Sequence, residues 1–221
     1  MKILIPNSQA EAIFDTPTAP IQTAILFIPG ISAGALTDRF LPFANAVTEA
    51  GMAILRVEIW KDQADLEAMT IKQIFTEIDA AISHLEGEGY TTIIGVGKSF
   101  GGGMLLLRNY PKLKALSLWA PAIGFSETSS FENLKSIQLK EVTKIMDITL
   151  DPKMLAAINV PVQFVHGDAD TSIPLENSRA LAAHISNATI ETISGMGHSP
   201  KNPEEEQLLI SKTVAFLQSN V

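Results

Sequence analysis

Apolar residues along the chain occur in two arrangements, short continuous runs and longer stretches in which they recur every three or four positions. Residues 23–28 form a continuous apolar run, which is typical of a strand buried on both faces of a sheet, and residues 52–59 are predicted to return to strand. Residues 70–88 have the spacing of a helix with one apolar face, and Gly89 follows as a stop signal. Because runs and helical stretches alternate, we predict an α/β fold, a mostly parallel sheet with helices on both faces.

The same two patterns extend over nearly the whole chain. Further strands are predicted at the N-terminus, at 11–15, directly before Ser99, and at 114–119, 160–166 and 189–193. Further helices are predicted at 38–50, from Ser99 to about 109, at 174–185 and at 203–219. No break between two cores occurs, so residues 1–221 are interpreted as a single domain. In such a sheet, functional sites are expected where the strands end at their carboxyl side.

The alternation lapses between residues 121 and 159. This segment mixes apolar and polar residues without a clear period. An insertion of this size in a compact domain often covers a site or contacts a substrate, so we predict a small cap or lid. The alternative is an ordinary surface excursion.

A Gly-x-Ser-x-Gly turn joins an apolar strand to an apolar helix at residues 97–101. A serine at such a strand-to-helix turn is held in strained backbone geometry that projects its hydroxyl away from the sheet. Gly97 and Gly101 leave room where larger side chains would collide with neighbouring elements. Ser99 is therefore the candidate nucleophile.

The same letters permit a nucleotide-binding hypothesis, because Gly97-Lys98-Ser99 matches the end of a phosphate-binding loop. That loop needs its first glycine at position 92, where this chain has Thr92. The dinucleotide-binding pattern needs a glycine at position 100, where this chain has Phe100. Both nucleotide hypotheses are therefore disfavoured.

A serine hydroxyl needs a base, and His198 is the best candidate among the four histidines. It lies in a glycine-flanked loop between the last predicted strand and the last helix. His84 and His184 fall inside helical patterns, and His166 ends a strand. The position of His198 late in the chain agrees with the order that serine nucleophiles of this turn type use.

An acid should orient the imidazole, and the loop after residue 166 supplies two candidates. Asp170 is favoured over Asp168 because it lies deeper in the loop and can reach farther from its strand. Asp168 could instead hold the turn through backbone contacts.

In these three regions the chain resembles the α/β-hydrolase family. The segments at 97–101, 166–174 and 197–198 are similar to its nucleophile, acid and base regions, in the same order. The resemblance implies that the backbone amides of Phe100 and Ile31 form an oxyanion hole. Many relatives carry His-Gly ahead of the Ile31 loop, whereas this chain has Pro29-Gly30.

Charge and composition narrow the classes of partner. The formal charge is −8 and no basic run offsets it, so binding to nucleic acid or to an anionic membrane has little electrostatic support. The absence of cysteine excludes disulfides and thiolate chemistry. The apolar run at the start of the chain is too short for the apolar region of a signal peptide, so a cytoplasmic location is expected. The expected partner is a small-molecule acyl substrate, bound by a monomer or homodimer.

The resulting hypothesis is a serine hydrolase that cleaves a small-to-medium carboxylic ester or thioester through an acyl-enzyme on Ser99, without a cofactor or metal. Candidate pocket residues are Trp60, Phe125 and Met196. Lys98 is expected to be a solvated residue at the turn, or else to add positive potential near an acidic substrate. The alternatives are a non-catalytic binding or regulatory protein, and a carbon–carbon or peptide-bond hydrolase that uses the same residues.

Overall fold

An eight-stranded sheet forms the centre of the computed structural model, which describes residues 1–18, 22–32, 34–125 and 149–221. The strands are β1 (Lys2–Leu4), β2 (Glu11–Asp15), β3 (Thr23–Ile28), β4 (Ala53–Glu58), β5 (Thr92–Lys98), β6 (Leu113–Trp119), β9 (Val162–Gly167) and β10 (Ala188–Ile193). Their order across the sheet is β1-β2-β4-β3-β5-β6-β9-β10. The two N-terminal strands pair antiparallel, and all pairs from β4 to β10 are parallel. The predicted mostly parallel sheet is confirmed.

Helices cover both faces of this sheet. They are α1 (Leu41–Glu49), α2 (Gln63–Ala68), α3 (Ile71–Gly87), α4 (Ser99–Arg108), α5 (Pro152–Ala156), α6 (Leu175–Ala182) and α7 (Pro203–Gln218). Successive side chains of a strand point to opposite faces, and β3 shows the consequence. Leu26 and Ile28 pack in the apolar cluster that includes α3, α4 and α6, whereas Ile25 and Phe27 pack with α1 and α7. Every residue of β3 is buried, as its continuous apolar run predicted.

Local sequence signals set the ends of the longest helix. Thr70 Oγ1 accepts a hydrogen bond from the Gln73 amide at 3.2 Å, and Gln73 Oε1 accepts one from the Thr70 amide at 2.7 Å, which together form a capping box. At the other end Gly89 adopts a φ of 93°, a conformation that glycine tolerates best. The helix was predicted at 70–88 and lies at Ile71–Gly87.

Helix α2 and the 3-10 turn before α1 were not predicted. Helix α2 has six residues and is preceded by the N-cap residue Asp62, whose side chain accepts a hydrogen bond from the Asp65 amide. The helix predicted at 38–50 begins as a 3-10 turn at Asp38–Phe40 and continues as α1. Elements this short contain too few residues for their apolar period to be recognised.

The ends of the predicted cap segment approach each other. Residues of β7 (Gly124–Phe125) pair in parallel with β8 (Thr149–Leu150), and α5 follows directly. Residues 126–148 lie outside the described residues, so the cap or lid at 121–159 stays a prediction. Within the described ranges, no helix combines the length and the apolar character that crossing a bilayer requires.

Candidate active site

The turn between β5 and α4 holds Ser99 in a conformation that few side chains adopt. Its φ is 49°, and α4 begins at this residue. A Cβ on Gly97 would lie 2.5 Å from the Gly102 Cα, and one on Gly101 would lie 2.3 Å from the Pro29 carbonyl oxygen. The glycines therefore allow helix and strand to approach closely enough for this sharp turn.

Three side chains from separate loops form one hydrogen-bonded line. His198 Nε2 lies 3.0 Å from Ser99 Oγ, and His198 Nδ1 lies 2.7 Å from Asp170 Oδ2. Ser99 and Asp170 are buried, and His198 is partly exposed. The loops follow β5, β9 and β10, whose carboxyl ends meet at one edge because these strands run parallel. The structure thus brings together the three residues that the sequence singled out.

Asp170 is held as a carboxylate by donors on both of its oxygens. The amides of Ser172 and Ile173 donate to Oδ1 at 2.8 and 2.9 Å, and His198 and His166 approach Oδ2. Burial by itself raises the pKa of Asp170, but the hydrogen bonds from the two histidines and the positive charge on His198 lower that pKa well below its usual range. Asp170 therefore remains ionised and able to stabilise a positive charge on His198.

His166 contacts the buried carboxylate of Asp170, a role that the sequence did not predict. The ring is fully buried, and Nε2 lies 2.9 Å from the Ile173 carbonyl oxygen and 3.3 Å from Asp170 Oδ2. Since both oxygens are acceptors, we assign the proton to Nε2, and Nδ1 then accepts from the Ser178 hydroxyl at 2.8 Å. The only signal in the sequence was the four-residue spacing of His166 and Asp170.

Asp168, the second candidate for the acid, connects the acid loop to the base loop. Asp168 Oδ1 accepts a hydrogen bond from the Gly195 amide at 2.6 Å, and the Ala169 amide donates to the Met196 carbonyl oxygen at 3.1 Å. A Cβ on Gly167 would lie 2.0 Å from that same oxygen. The loops that carry Asp170 and His198 are therefore joined through their backbones.

The two predicted oxyanion donors belong to segments next to Ser99, the start of α4 and the loop after β3. Phe100 is the second residue of α4, where an amide lacks a partner within the helix, and α4 has no side-chain cap. Ile31 lines the same cavity as Ser99, and its amide has no hydrogen-bond acceptor among the described residues. A Cβ on the preceding Gly30 would lie 3.2 Å from the Ser99 Cβ, so this loop passes close to the hydroxyl.

The Trp60 side chain holds the loop that carries Ile31 through a hydrogen bond to its backbone. Its indole N–H donates to the Gly30 carbonyl oxygen at 3.1 Å, and its ring meets the Phe100 ring edge-on with centroids 5.4 Å apart. Trp60 is fully buried, and Met196 is nearly so, so neither presents a substantial surface to a ligand in the described part of the molecule. The pocket prediction for Phe125 stays a prediction, because the structure describes its place in β7 but not its side chain.

Solved structures with a similar fold were found, although no family model and no curated protein matches the sequence. Est1E from Butyrivibrio proteoclasticus, solved with ferulic acid bound, has a TM-score of 0.81 and 20% identity, over 100% of this chain and 98% of that one. A Paleococcus ferrophilus monoacylglycerol lipase has a TM-score of 0.74 and 18% identity, over 96% and 100%. A dienelactone hydrolase from Anabaena variabilis has a TM-score of 0.75 and 13% identity, over 100% and 96%. The chain has the α/β-hydrolase fold.

Within this hydrolase fold, Lys98 corrects an expectation. The side chain was expected to be solvated, but only 8% of the residue is exposed. Its ammonium donates to the His198 carbonyl oxygen at 3.0 Å, because the end of β5 points Lys98 toward the loop that carries the base. Burial, together with the positive charge of Arg39, lowers the pKa of Lys98 to about 8, and Asp170 acts in the opposite direction.

A cavity of about 310 Å³ opens over the serine of the hydrolase fold. Its described lining combines the Ile31 loop with residues of the acid and base loops: Gly30, Ile31, Ser32, Arg39, Gln63, Lys98, Ser99, Ser172, Ile173, His198 and Ser199. No group of three or more His, Asp or Glu side chains in the described ranges is arranged to hold a metal ion. The site presents a hydroxyl, an imidazole and two candidate amide donors to a small molecule.

Proposed function

We propose that this protein is a serine hydrolase that cleaves a small-to-medium carboxylic ester or thioester through an acyl-enzyme on Ser99. The observation that carries the proposal is the position of His198, which lies within hydrogen-bond distance of both Ser99 Oγ and Asp170 Oδ2. A nucleophile, a base and an orienting acid in this geometry are the requirements of acyl transfer. A binding protein would need none of the three.

In the proposed mechanism Ser99 Oγ attacks the carbonyl carbon while its proton moves to His198 Nε2. Asp170 accepts from Nδ1–H, which fixes the tautomer with a free Nε2 and stabilises the imidazolium. The imidazolium then protonates the leaving alcohol or thiol. Water then attacks the acyl carbon while it gives a proton to His198, and the imidazolium returns this proton to Ser99 Oγ as the carboxylic acid leaves.

The negative charge of the tetrahedral intermediate is assigned to the amides of Phe100 and Ile31. Donors already aimed at a developing oxyanion cost no reorganisation during the reaction, and one such donor is worth about 10²–10³ in rate. The hydrogen bond from Trp60 to the Gly30 carbonyl oxygen supports the loop that carries the Ile31 amide.

An ester is favoured by the similar structures, whose names include a monoacylglycerol lipase and a dienelactone hydrolase. The described cavity is also small enough to suit an acyl group of moderate size. A thioester is included because its carbonyl is attacked by the same serine and its thiol leaves readily.

The proposal is tested by reaction with a fluorophosphonate probe, read by intact mass for the native protein and for Ser99→Ala. One adduct per native chain and none on Ser99→Ala is the expected result, because only an activated serine reacts with this probe. Equal labelling of both proteins would assign the reactivity elsewhere. An unlabelled native protein with an intact thermal unfolding transition would favour the binding-protein alternative.

A substrate panel then separates ester from thioester. Matched p-nitrophenyl esters and acyl thioesters are compared at equal acyl length, and the ratio of kcat/KM decides between them. The chain contains no cysteine, so thiol release can be followed with a thiol-reactive chromophore without a signal from the protein.

A further inference from the structure

We propose that the natural substrate carries a carboxylate in addition to the bond that is cleaved, and that this carboxylate binds between Arg39 and Lys98 beside Ser99. The inference rests on the proposed function and names the class of acyl substrate: an ester or thioester in which one carboxyl group of a dicarboxylic acid remains free. Four features of the site carry it.

The charge of the cavity is opposite to that of the protein. Its ionisable lining residues are Arg39, Lys98 and His198, and no acidic side chain is among the described residues that line it. The whole chain has a formal charge of −8. A protein with this net charge repels anions at long range. The cationic lining at the reaction centre acts in the opposite direction and attracts an anionic ligand once it is close.

Lys98 can donate further hydrogen bonds at a buried position, where a positive charge is energetically unfavourable. An ammonium has three donors, and within the described ranges Lys98 has one acceptor, the uncharged His198 carbonyl oxygen. Burial and Arg39 both work against the positive charge. A carboxylate bound beside Lys98 would supply an acceptor and a counter-charge together, which makes the buried cation favourable.

Arg39 is placed to form the outer half of the site. The side chain is exposed, its guanidinium stands 5.4 Å above the Phe40 ring, and one nitrogen donates to Ser199 Oγ at 3.3 Å. It forms no ion pair with an acidic side chain in the described part of the chain. The stacking and the bond to Ser199 orient a planar fork of donors that matches a carboxylate.

The remaining charged groups around this pair do not neutralise it. Asp170 faces Lys98 from the acid loop, but its oxygens already accept bonds from two histidines and two amides. On the far side of Arg39 and Lys98 a second cavity is lined by one further cation, Lys201, and one acid, Glu206. The described surroundings therefore leave a net positive charge next to the serine.

The test compares mono-p-nitrophenyl adipate with p-nitrophenyl hexanoate, which have acyl chains of the same length and differ in the terminal carboxylate. For the native protein we expect kcat/KM to be higher for the adipate by about tenfold or more, the effect of a charge-assisted hydrogen bond. Arg39→Gln should lower the adipate-to-hexanoate ratio about tenfold, and Arg39→Lys should restore part of it. Added salt should lower the ratio as well, because Arg39 is exposed.

Arg108→Gln is the matched control. Arg108 is also exposed, stacks on aromatic rings and lies at the end of α4 opposite to Ser99. This variant changes the net charge equally, and its ratio should stay at the native value. An equal fall in both variants would mean a general charge effect and would overturn the inference.

The outcomes also separate this inference from the proposed function. Probe labelling and hexanoate hydrolysis without a preference for adipate would overturn the carboxylate site and leave the hydrolase proposal intact. A folded native protein that is neither labelled nor active on any ester would overturn both.

Discussion

Replacing Gly101 with alanine tests whether the close approach of α4 to the end of β3 holds the site in place. A Cβ at this position would lie 2.3 Å from the Pro29 carbonyl oxygen, 2.6 Å from that of Ile28 and 2.8 Å from the Ile28 Cγ2. Two of these three atoms belong to the backbone and cannot rotate away. The added methyl group therefore has to push the helix and the strand end apart.

The required displacement is about 1 Å, since ordinary carbon–oxygen contact begins near 3.4 Å. Overpacking of this kind costs about 1–3 kcal/mol of unfolding free energy. The melting temperature should then fall by about 2–4 °C for each kcal/mol at this chain length. Pro29 leads directly to the loop of Ile31, so the displacement also moves a candidate oxyanion donor, and an error of this size costs about 100-fold in rate.

Two measurements are needed, the thermal unfolding transition and the second-order rate of fluorophosphonate labelling. Gly87→Ala is the control, because a Cβ at Gly87, within α3, meets nothing within 4 Å. Alanine there should leave labelling unchanged and raise the unfolding free energy by about 0.4–1 kcal/mol. If Gly101→Ala labels within threefold of the native rate, the close contact does not position the site.

Two further predictions follow from the loops around Ser99. Asp170→Asn should lower kcat by about 10³–10⁴, because Asn cannot fix the imidazole in the required tautomer. Asp168→Asn, tested in the same ester assay, should keep most of its turnover. A loss of turnover in Asp168→Asn alone would assign the acid to Asp168. Lys98 has an ordinary pKa of 10.5 and a folded pKa of about 8, so the unfolded chain binds more protons between these values and native stability rises with pH across this window. In denaturant titrations from pH 7 to 10, the unfolding free energy of the native protein should rise by up to about 3 kcal/mol relative to that of Lys98→Met. A difference between the two proteins that does not change with pH would contradict the burial argument.

Long elements and their order were predictable from the sequence because their signals are repeated over many residues. The β3 run was predicted with its observed limits, and the prediction for α3 was one residue too long at each end. Short elements carry much less signal. Helix α2 has a capping bond at Asp62 and a single buried residue, Leu66, and β7 and β8 depend on a pairing between residues more than twenty positions apart.

The line of Ser99, His198 and Asp170 was predictable because each residue stands in a loop at the end of a strand, and parallel strands bring such loops together. The buried partners were not. The direction of Lys98 depends on the last residue of β5 facing the base loop, and the contact of His166 depends on how the acid loop folds back over β9. Such contacts arise from tertiary packing and leave no period in the sequence.

The joined loops after β9 and β10 have a consequence for how this site can diverge. Backbone atoms of Ala169 and Met196 tie the acid to the base, and Gly167 allows the contact. Side chains at most other positions of these loops take no part in that link, so substitutions can accumulate there while the spacing between acid and base persists. A chain can in this way lose most of its identity to others of the same fold while the geometry that joins its acid and base is kept by the backbone.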